Sequence, residues 1–124
     1  MKICLLIFLI LCLVPLAAQP TIDVNNGVPG ILNVSGSQST LAPNVVFVIY
    51  GHNLGPSSIV IAPPPNYPVS LSGTSISFTP AAGGAPIAAC MYYTLENAVT
   101  GVLPSSTTPG SYQVRVTYNG QRHS

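Results

Sequence analysis

The side chains able to do chemistry are few and far apart. Beyond residue 20 the sequence offers carboxylates at Asp23 and Glu96, imidazoles at His52 and His123, and one thiol at Cys90. Two carboxylates acting as general acid and base must share one cleft. Asp23 lies near the start of this region and Glu96 in a loop, so both read as solvated surface charges. A Ser-His-Asp arrangement needs a histidine beside an oriented serine. No nucleophile-elbow pattern is present, His52 sits in a glycine turn, and His123 falls near the last residue, where it reads as disordered. The stretch Asp23-Val24-Asn25-Asn26-Gly27 lacks the alternating ligands and closing glutamate of a calcium loop, and reads as an Asx-rich turn. Two separated histidines and one cysteine do not make a zinc site. The expectation is no catalytic residue, no metal, no cofactor and no enzymatic activity.

Aromatic side chains leave one binding chemistry open. Tyrosine offers an apolar face and a hydroxyl handle, which suits a sugar ring. Tyr112 and Tyr118 share a parity with Val114 and Val116, so they read as core-edge residues. Tyr92 and Tyr93 are adjacent, so strict strand alternation points them opposite ways and exposes only one. These two are the candidate ligand-facing aromatics.

The elements that would position these side chains begin after a leader. Lys2 supplies one positive charge, residues 3–14 are an unbroken apolar run closed by Pro15, and small residues follow at Ala17-Ala18. That order is the signature of a secretory signal peptide, predicted over residues 1–19 with cleavage after Ala18 or Gln19. A run of this length reaches about 18 Å as a helix, against a bilayer core of about 30 Å, so no stable membrane span is expected. Leu11 precedes Cys12 where a lipid-attachment site needs a small residue, so lipidation is rejected. The predicted location is extracytoplasmic: secreted, periplasmic or at the cell surface.

Export leaves Arg115 and Arg122 against Asp23 and Glu96, a balance near zero with the histidines neutral. No basic patch can form, which excludes nucleic acid as a partner, because phosphate neutralisation dominates such binding. Polybasic membrane attachment fails for the same reason. Cys4 and Cys12 leave with the leader, so Cys90 has no intrachain partner; among Ala88, Ala89 and Met91 it reads as a small buried hydrophobe.

Residues 20–124 carry short β-prone runs separated by Gly, Pro, Asn and Ser clusters, with no helical periodicity. The clearest strand covers 111–118, where Tyr112, Val114, Val116 and Tyr118 alternate with Gln113, Arg115 and Thr117. Pro109-Gly110 leads into it and Asn119-Gly120 leads out, after which Arg122-His123-Ser124 is read as no further element. Residues 45–50 form a continuous apolar run, as in a central strand buried on both faces, and 74–78 alternate again. Further strands are expected in 30–34, 58–62, 86–93 and 97–103. The proline cluster at 63–68 reads as a surface loop, and 81–84 as a hairpin tip. Seven strands, each apolar on one face, bury those faces by packing as a two-sheet antiparallel sandwich.

Val45-Val46-Phe47-Val48-Ile49-Tyr50-Gly51-His52-Asn53-Leu54-Gly55 resembles the signature of IPT/TIG domains, in which a hydrophobic strand runs into a glycine turn followed by Asn-Leu. In this reading Gly51 lets the strand bend, Asn53 holds the turn through neighbouring backbone groups, Leu54 tucks under the sheet, and Gly55 closes the motif. The nearer likeness is to an uncharacterised exported module abundant in acidobacterial proteins. It rests on Gly73-Thr74-Ser75, Ala85-Pro86, Met91-Tyr92-Tyr93-Thr94, Leu103-Pro104-Ser105-Ser106 and Val116-Thr117-Tyr118-Asn119-Gly120-Gln121, in that order. The stretch Leu95-Glu96-Asn97-Ala98-Val99 departs from the pattern of that family. The resemblance implies a seven-stranded immunoglobulin-like fold and an outside address, with no attached activity. Its members often continue past the last strand, so residues 20–124 are expected to be either a one-domain product or one domain of a longer protein.

The sequence-level expectation is an all-β, immunoglobulin-like module that meets a protein or polysaccharide partner outside the cytoplasm. An interaction, adhesion or spacer role is favoured, with an accessory carbohydrate-binding module as the alternative.

Overall fold

The structure, a computed structural model, describes residues 19–25, 28–33 and 41–123. The predicted leader and its cleavage region fall at residues 1–18, outside the described residues. So do Asn26 and Gly27 of the Asx-rich stretch.

The chain is all-β. Twelve strands occur among the described residues: β1 (Thr21–Ile22), β2 (Val24–Asn25), β3 (Val28–Pro29), β4 (Ile31–Asn33), β5 (Val46–His52), β6 (Val60–Ile61), β7 (Thr74–Pro80), β8 (Ile87–Ala88), β9 (Cys90–Leu95), β10 (Ala98–Val102), β11 (Tyr112–Tyr118) and β12 (Gln121–His123). They form a larger antiparallel sheet in the order β1-β5-β10-β9-β6, with β4 also on β5. A second antiparallel sheet runs β12-β11-β7-β8, and β2 and β3 make a small hairpin of their own. Each predicted run contains strand, but the division is finer than seven. No helix among the described residues is long and apolar enough to cross a membrane.

The two sheets share one core to which β5, β7 and β11 each contribute apolar residues of one parity. Phe47 and Ile49 of β5 lie opposite Gly101 and Val99 of β10, which places them on one face. In the other sheet Ile76 and Phe78 of β7 lie opposite Val116 and Val114 of β11. Phe47 and Phe78 meet edge-to-face across the gap, with centroids 5.4 Å apart and planes at 89°. Around them Ile31, Leu54, Ala89, Met91, Val99, Leu103 and Val116 complete the buried cluster. Of the inward set predicted for 111–118, Val116 is buried and Tyr112 and Val114 pack against the core from its margin, whereas Tyr118 is half-buried outside that cluster.

The run 86–93 is not one strand. Ile87 and Ala88 pair with Phe78 and Ser77 in the smaller sheet, whereas Cys90 and Met91 pair with Val102 and Gly101 in the larger one. The chain changes sheets at Ala89, which is fully buried and donates its N–H to Ile76 C=O at 3.0 Å. Cys90 therefore does not occupy the core position expected of it. Ala89 and Met91 take the inward positions on either side, and Cys90 is left half-buried on the opposite parity.

The end of the chain also differs from expectation. Asn119 (φ 49°) and Gly120 (φ 82°) form a two-residue turn of left-handed backbone, the geometry that matches strand twist in a tight hairpin. It leads into β12, whose His123 pairs with Val116, so this segment is a strand rather than disordered.

Candidate functional site

The turn that follows β5 positions several residues singled out in the sequence, though not in the expected way. β5 does not end at Gly51. It continues through His52, where Gly51 pairs with Ile22 and His52 with Thr21. What Gly51 provides is room, since a Cβ there would run into the Thr21 carbonyl. The reversal begins at Asn53, whose φ of 56° is left-handed, a conformation asparagine tolerates better than most residues. Its side-chain amide does not hold its own turn as expected. It reaches back to Gln19, donating from Nδ2 to the backbone carbonyl at 3.4 Å. Leu54 is fully buried in the core, as the motif implied. Gly55 passes so close to Thr94 Oγ1 that a side chain would displace it.

Asp23 and His52 are brought together by β1 pairing with the end of β5. His52 Nε2 lies 3.5 Å from Asp23 Oδ1, and both side chains are substantially exposed. Glu96 enters the same end of the sheet from the other side. Its carbonyl accepts from Leu54 N–H at 2.9 Å, and that of Asn97 accepts from Gly51 N–H at 3.1 Å. Asp23 N–H instead donates to Tyr50 C=O on the edge of β5 that faces β1 and β4. The Asp23 and Glu96 backbones thus lie on opposite sides of β5. The Asp23–His52 pair is open to solvent and Glu96 lies across a strand from it, whereas acid–base catalysis works best with its groups converging in one cleft. No group of three metal-ligating side chains occurs among the described residues.

Of the two candidate tyrosines only Tyr92 is exposed, as expected, but strict alternation is not the reason. Met91 and Thr94 of β9 are both buried although three positions apart, which strict alternation forbids. The register explains it: Tyr93 pairs with Thr100 and Met91 with Gly101, so Tyr92 is an extra residue in a β-bulge. Neither tyrosine enters the core; Tyr92 is exposed and Tyr93 half-buried. Tyr92 stacks on Tyr67, with centroids 5.2 Å apart and planes at 30°. Sequence reasoning missed Tyr67, which sits within the proline cluster read only as a loop.

Around this stacked pair lies a surface that sequence patterning did not single out. Among the described residues the exposed large hydrophobics are Tyr50, Ile59 (51% exposed), Ile61 (62%), Val69 (53%) and Tyr92 (39%). Four of these five belong to β6, β9 and the adjoining loop, at one edge of the larger sheet. Among the described residues β6 is the last strand there, with Val60 opposite Thr94 and Ile61 opposite Tyr93. Pro68 C=O accepts from Met91 N–H at 2.6 Å, which brings the 67–69 segment against β9. The signal for this patch was in the sequence: Ile59-Val60-Ile61 is a β-branched run, and no Asp, Glu, Lys, Arg or His occurs between Asn53 and Leu95.

Comparison with known protein families, curated proteins and solved structures finds no match to this chain.

Proposed function

We propose that this chain is an exported, non-catalytic, immunoglobulin-like β-sandwich module of the IPT/TIG type that serves as an interaction, adhesion or spacer domain outside the cytoplasm. The apolar leader supports the export half of this reading. Two antiparallel sheets around one core support the immunoglobulin-like half. The observation that carries the interaction role is the gathering of Ile59, Ile61, Val69 and Tyr92 on one sheet edge. Exposed apolar side chains scattered singly need no explanation, whereas four of them in and beside the neighbouring strands β6 and β9 supply apolar surface for a contact.

Two measurements test the reading. Fusing residues 1–25 to a reporter active only after translocation yields activity and a new N-terminus at residue 19 or 20; a leader retained in the membrane overturns export. The mature chain, residues 20–124, is then titrated at low micromolar concentration onto cell-envelope preparations and onto a polysaccharide panel. Envelope binding weakened at least tenfold by Ile61→Lys supports the interaction role, and equal binding by both proteins removes this edge as its seat.

The Tyr67–Tyr92 stack favours one second reading, an accessory carbohydrate-binding module, because a flat exposed tyrosine face suits the C–H face of a sugar. Polysaccharide binding lost on Tyr92→Ala or Tyr93→Ala supports it, and silence across the panel overturns it.

A further inference from the structure

We infer that the β6 edge pairs with the same edge of a second copy of this chain, antiparallel, joining two larger sheets into one continuous sheet. This rests on the reading of the chain as an interaction module and names one partner for it.

The hydrogen-bond parity of β6 sets the geometry. Ala62 N–H donates to Tyr92 C=O at 2.9 Å, and Val60 and Ile61 lie opposite Thr94 and Tyr93. In an antiparallel ladder successive residues turn their N–H and C=O groups alternately toward and away from the neighbouring strand. Val60 and Ala62 therefore serve β9, while Ile59 and Ile61 direct their backbone groups out of the open edge. Pro63 shares that outward parity and has no N–H to give.

One two-fold register pairs these groups isoleucine to isoleucine with no donor missing. With Val60 at the centre, Ile59 meets Ile61 of the second copy and Ile61 meets its Ile59, giving four backbone hydrogen bonds and two isoleucine pairs. Centring on Ile61 sets Ile59 against Pro63 and loses a donor. Centring on Ile59 sets Ile61 against Ser57 and loses the apolar match. Cross-strand pairs of β-branched residues stabilise such a ladder.

Charge chemistry points the same way. Sheet edges are commonly protected from pairing by inward-pointing or exposed charges, especially lysine. The uncharged span from Asn53 to Leu95 contains no such protection, so two copies approach without repulsion. What limits the edge is length, with Pro56 before it and Pro63-Pro64-Pro65 after it. A short isologous contact closes on itself, so the product is a dimer and not a fibre. Its small area places it among weak associations, well under the roughly 1,200 Å² at which stable interfaces begin.

Sedimentation velocity on residues 20–124, from about 10 µM to about 1 mM, tests this across the range that weak contacts occupy. The expected result is a monomer that becomes a dimer as concentration rises. Ile61→Lys places a charge on each side of the two-fold axis and stays monomeric throughout, whereas Ile61→Val dimerises like the parent. Circular dichroism and amide-exchange protection at Thr94 confirm that each variant keeps the fold and the β6–β9 ladder. A parent chain that is monomeric at every concentration overturns self-pairing, as does an Ile61→Lys variant that dimerises equally well. These outcomes are separate from the envelope titration, which is run where the chain is monomeric. A dimer without envelope binding supports self-pairing and removes the adhesion reading alone.

Discussion

The hydroxyls of Thr74 and Thr94 lie 2.8 Å apart in the buried interior, one on each sheet. Thr74 also donates to the Leu54 carbonyl at 2.9 Å, which uses its only proton. Thr94 must then be the donor between the two hydroxyls. The chain Thr94 O–H to Thr74 O–H to Leu54 C=O joins β9, β7 and the turn after β5. A turn carbonyl that the core would otherwise strand is thereby satisfied, and the two sheets are tied at the end where Asn53 reverses the chain.

The directionality predicts unequal costs. Thr74→Val orphans both the Leu54 carbonyl and the Thr94 hydroxyl, and each unsatisfied buried group costs about 1–3 kcal/mol. Thr94→Val leaves the Thr74–Leu54 bond intact, so its cost is about 1 kcal/mol. Urea unfolding of residues 20–124 carrying each change should rank Thr74→Val as clearly the more damaging. The double variant should cost less than the sum, because the two positions share one network. Equal costs would show that the donor order is wrong.

The Phe47–Phe78 contact predicts which face of β5 carries stability. Phe47 is fully buried, so Phe47→Ala removes its area and leaves a cavity, at about 3–5 kcal/mol. Tyr50, three residues along on the other parity, is exposed, and Tyr50→Ala should stay within roughly 1 kcal/mol. Since small domains hold only about 5–15 kcal/mol in total, Phe47→Ala should lower the melting temperature by tens of degrees or prevent folding. Thermal melts of the two variants decide it.

Gly51 carries a local prediction of a different kind. Its backbone is ordinary extended strand, so alanine suits the conformation and only the Thr21 carbonyl stands in the way. Gly51→Ala should therefore release β1 while leaving β5 paired with β10. Hydrogen exchange would speed up at residues 21–23 and stay slow at Val99 and Thr100. Unchanged protection in β1 would mean that the strand shifts to accept the methyl group at little cost.

What the sequence made legible follows from how local each feature is. The inward face of β11 could be read because Tyr112, Val114, Val116 and Tyr118 keep one parity from end to end. Phe47 and Ile49 were visible as parts of an apolar run, and Asn119-Gly120 as a tight turn. The change of sheet at Ala89 was not visible, because both flanking pieces have the same strand-favouring composition and only their partners differ. The bulge at Tyr92 was hidden for the same reason: it is set by the register with Thr100 and Gly101, and it moved both tyrosines out of the expected alternation. Gly51 was recognised as a required glycine, yet the requirement comes from Thr21, thirty positions earlier. The β6 edge was legible in composition and overlooked, since a three-residue apolar run reads as core until its open side is seen.

Thr100 gives the last prediction. Its hydroxyl oxygen is buried without a hydrogen-bond partner among the described residues, although Thr100 is only 4% exposed. It sits on β10 opposite Val48 and Tyr93, on the parity that faces away from the shared core. A buried hydroxyl that loses water without gaining a partner costs about 1–3 kcal/mol, so replacing it with a methyl group should recover part of that penalty. Thr100→Val keeps the branched shape and strand preference and is expected to stabilise residues 20–124 by about 1 kcal/mol, raising the melting temperature by roughly 4–8 °C. Thr94→Val, also a threonine in the same sheet, should move it the opposite way. A Thr100→Val variant less stable than the parent would show that the hydroxyl has a partner in solution, and a crystal structure of the mature chain would then identify it.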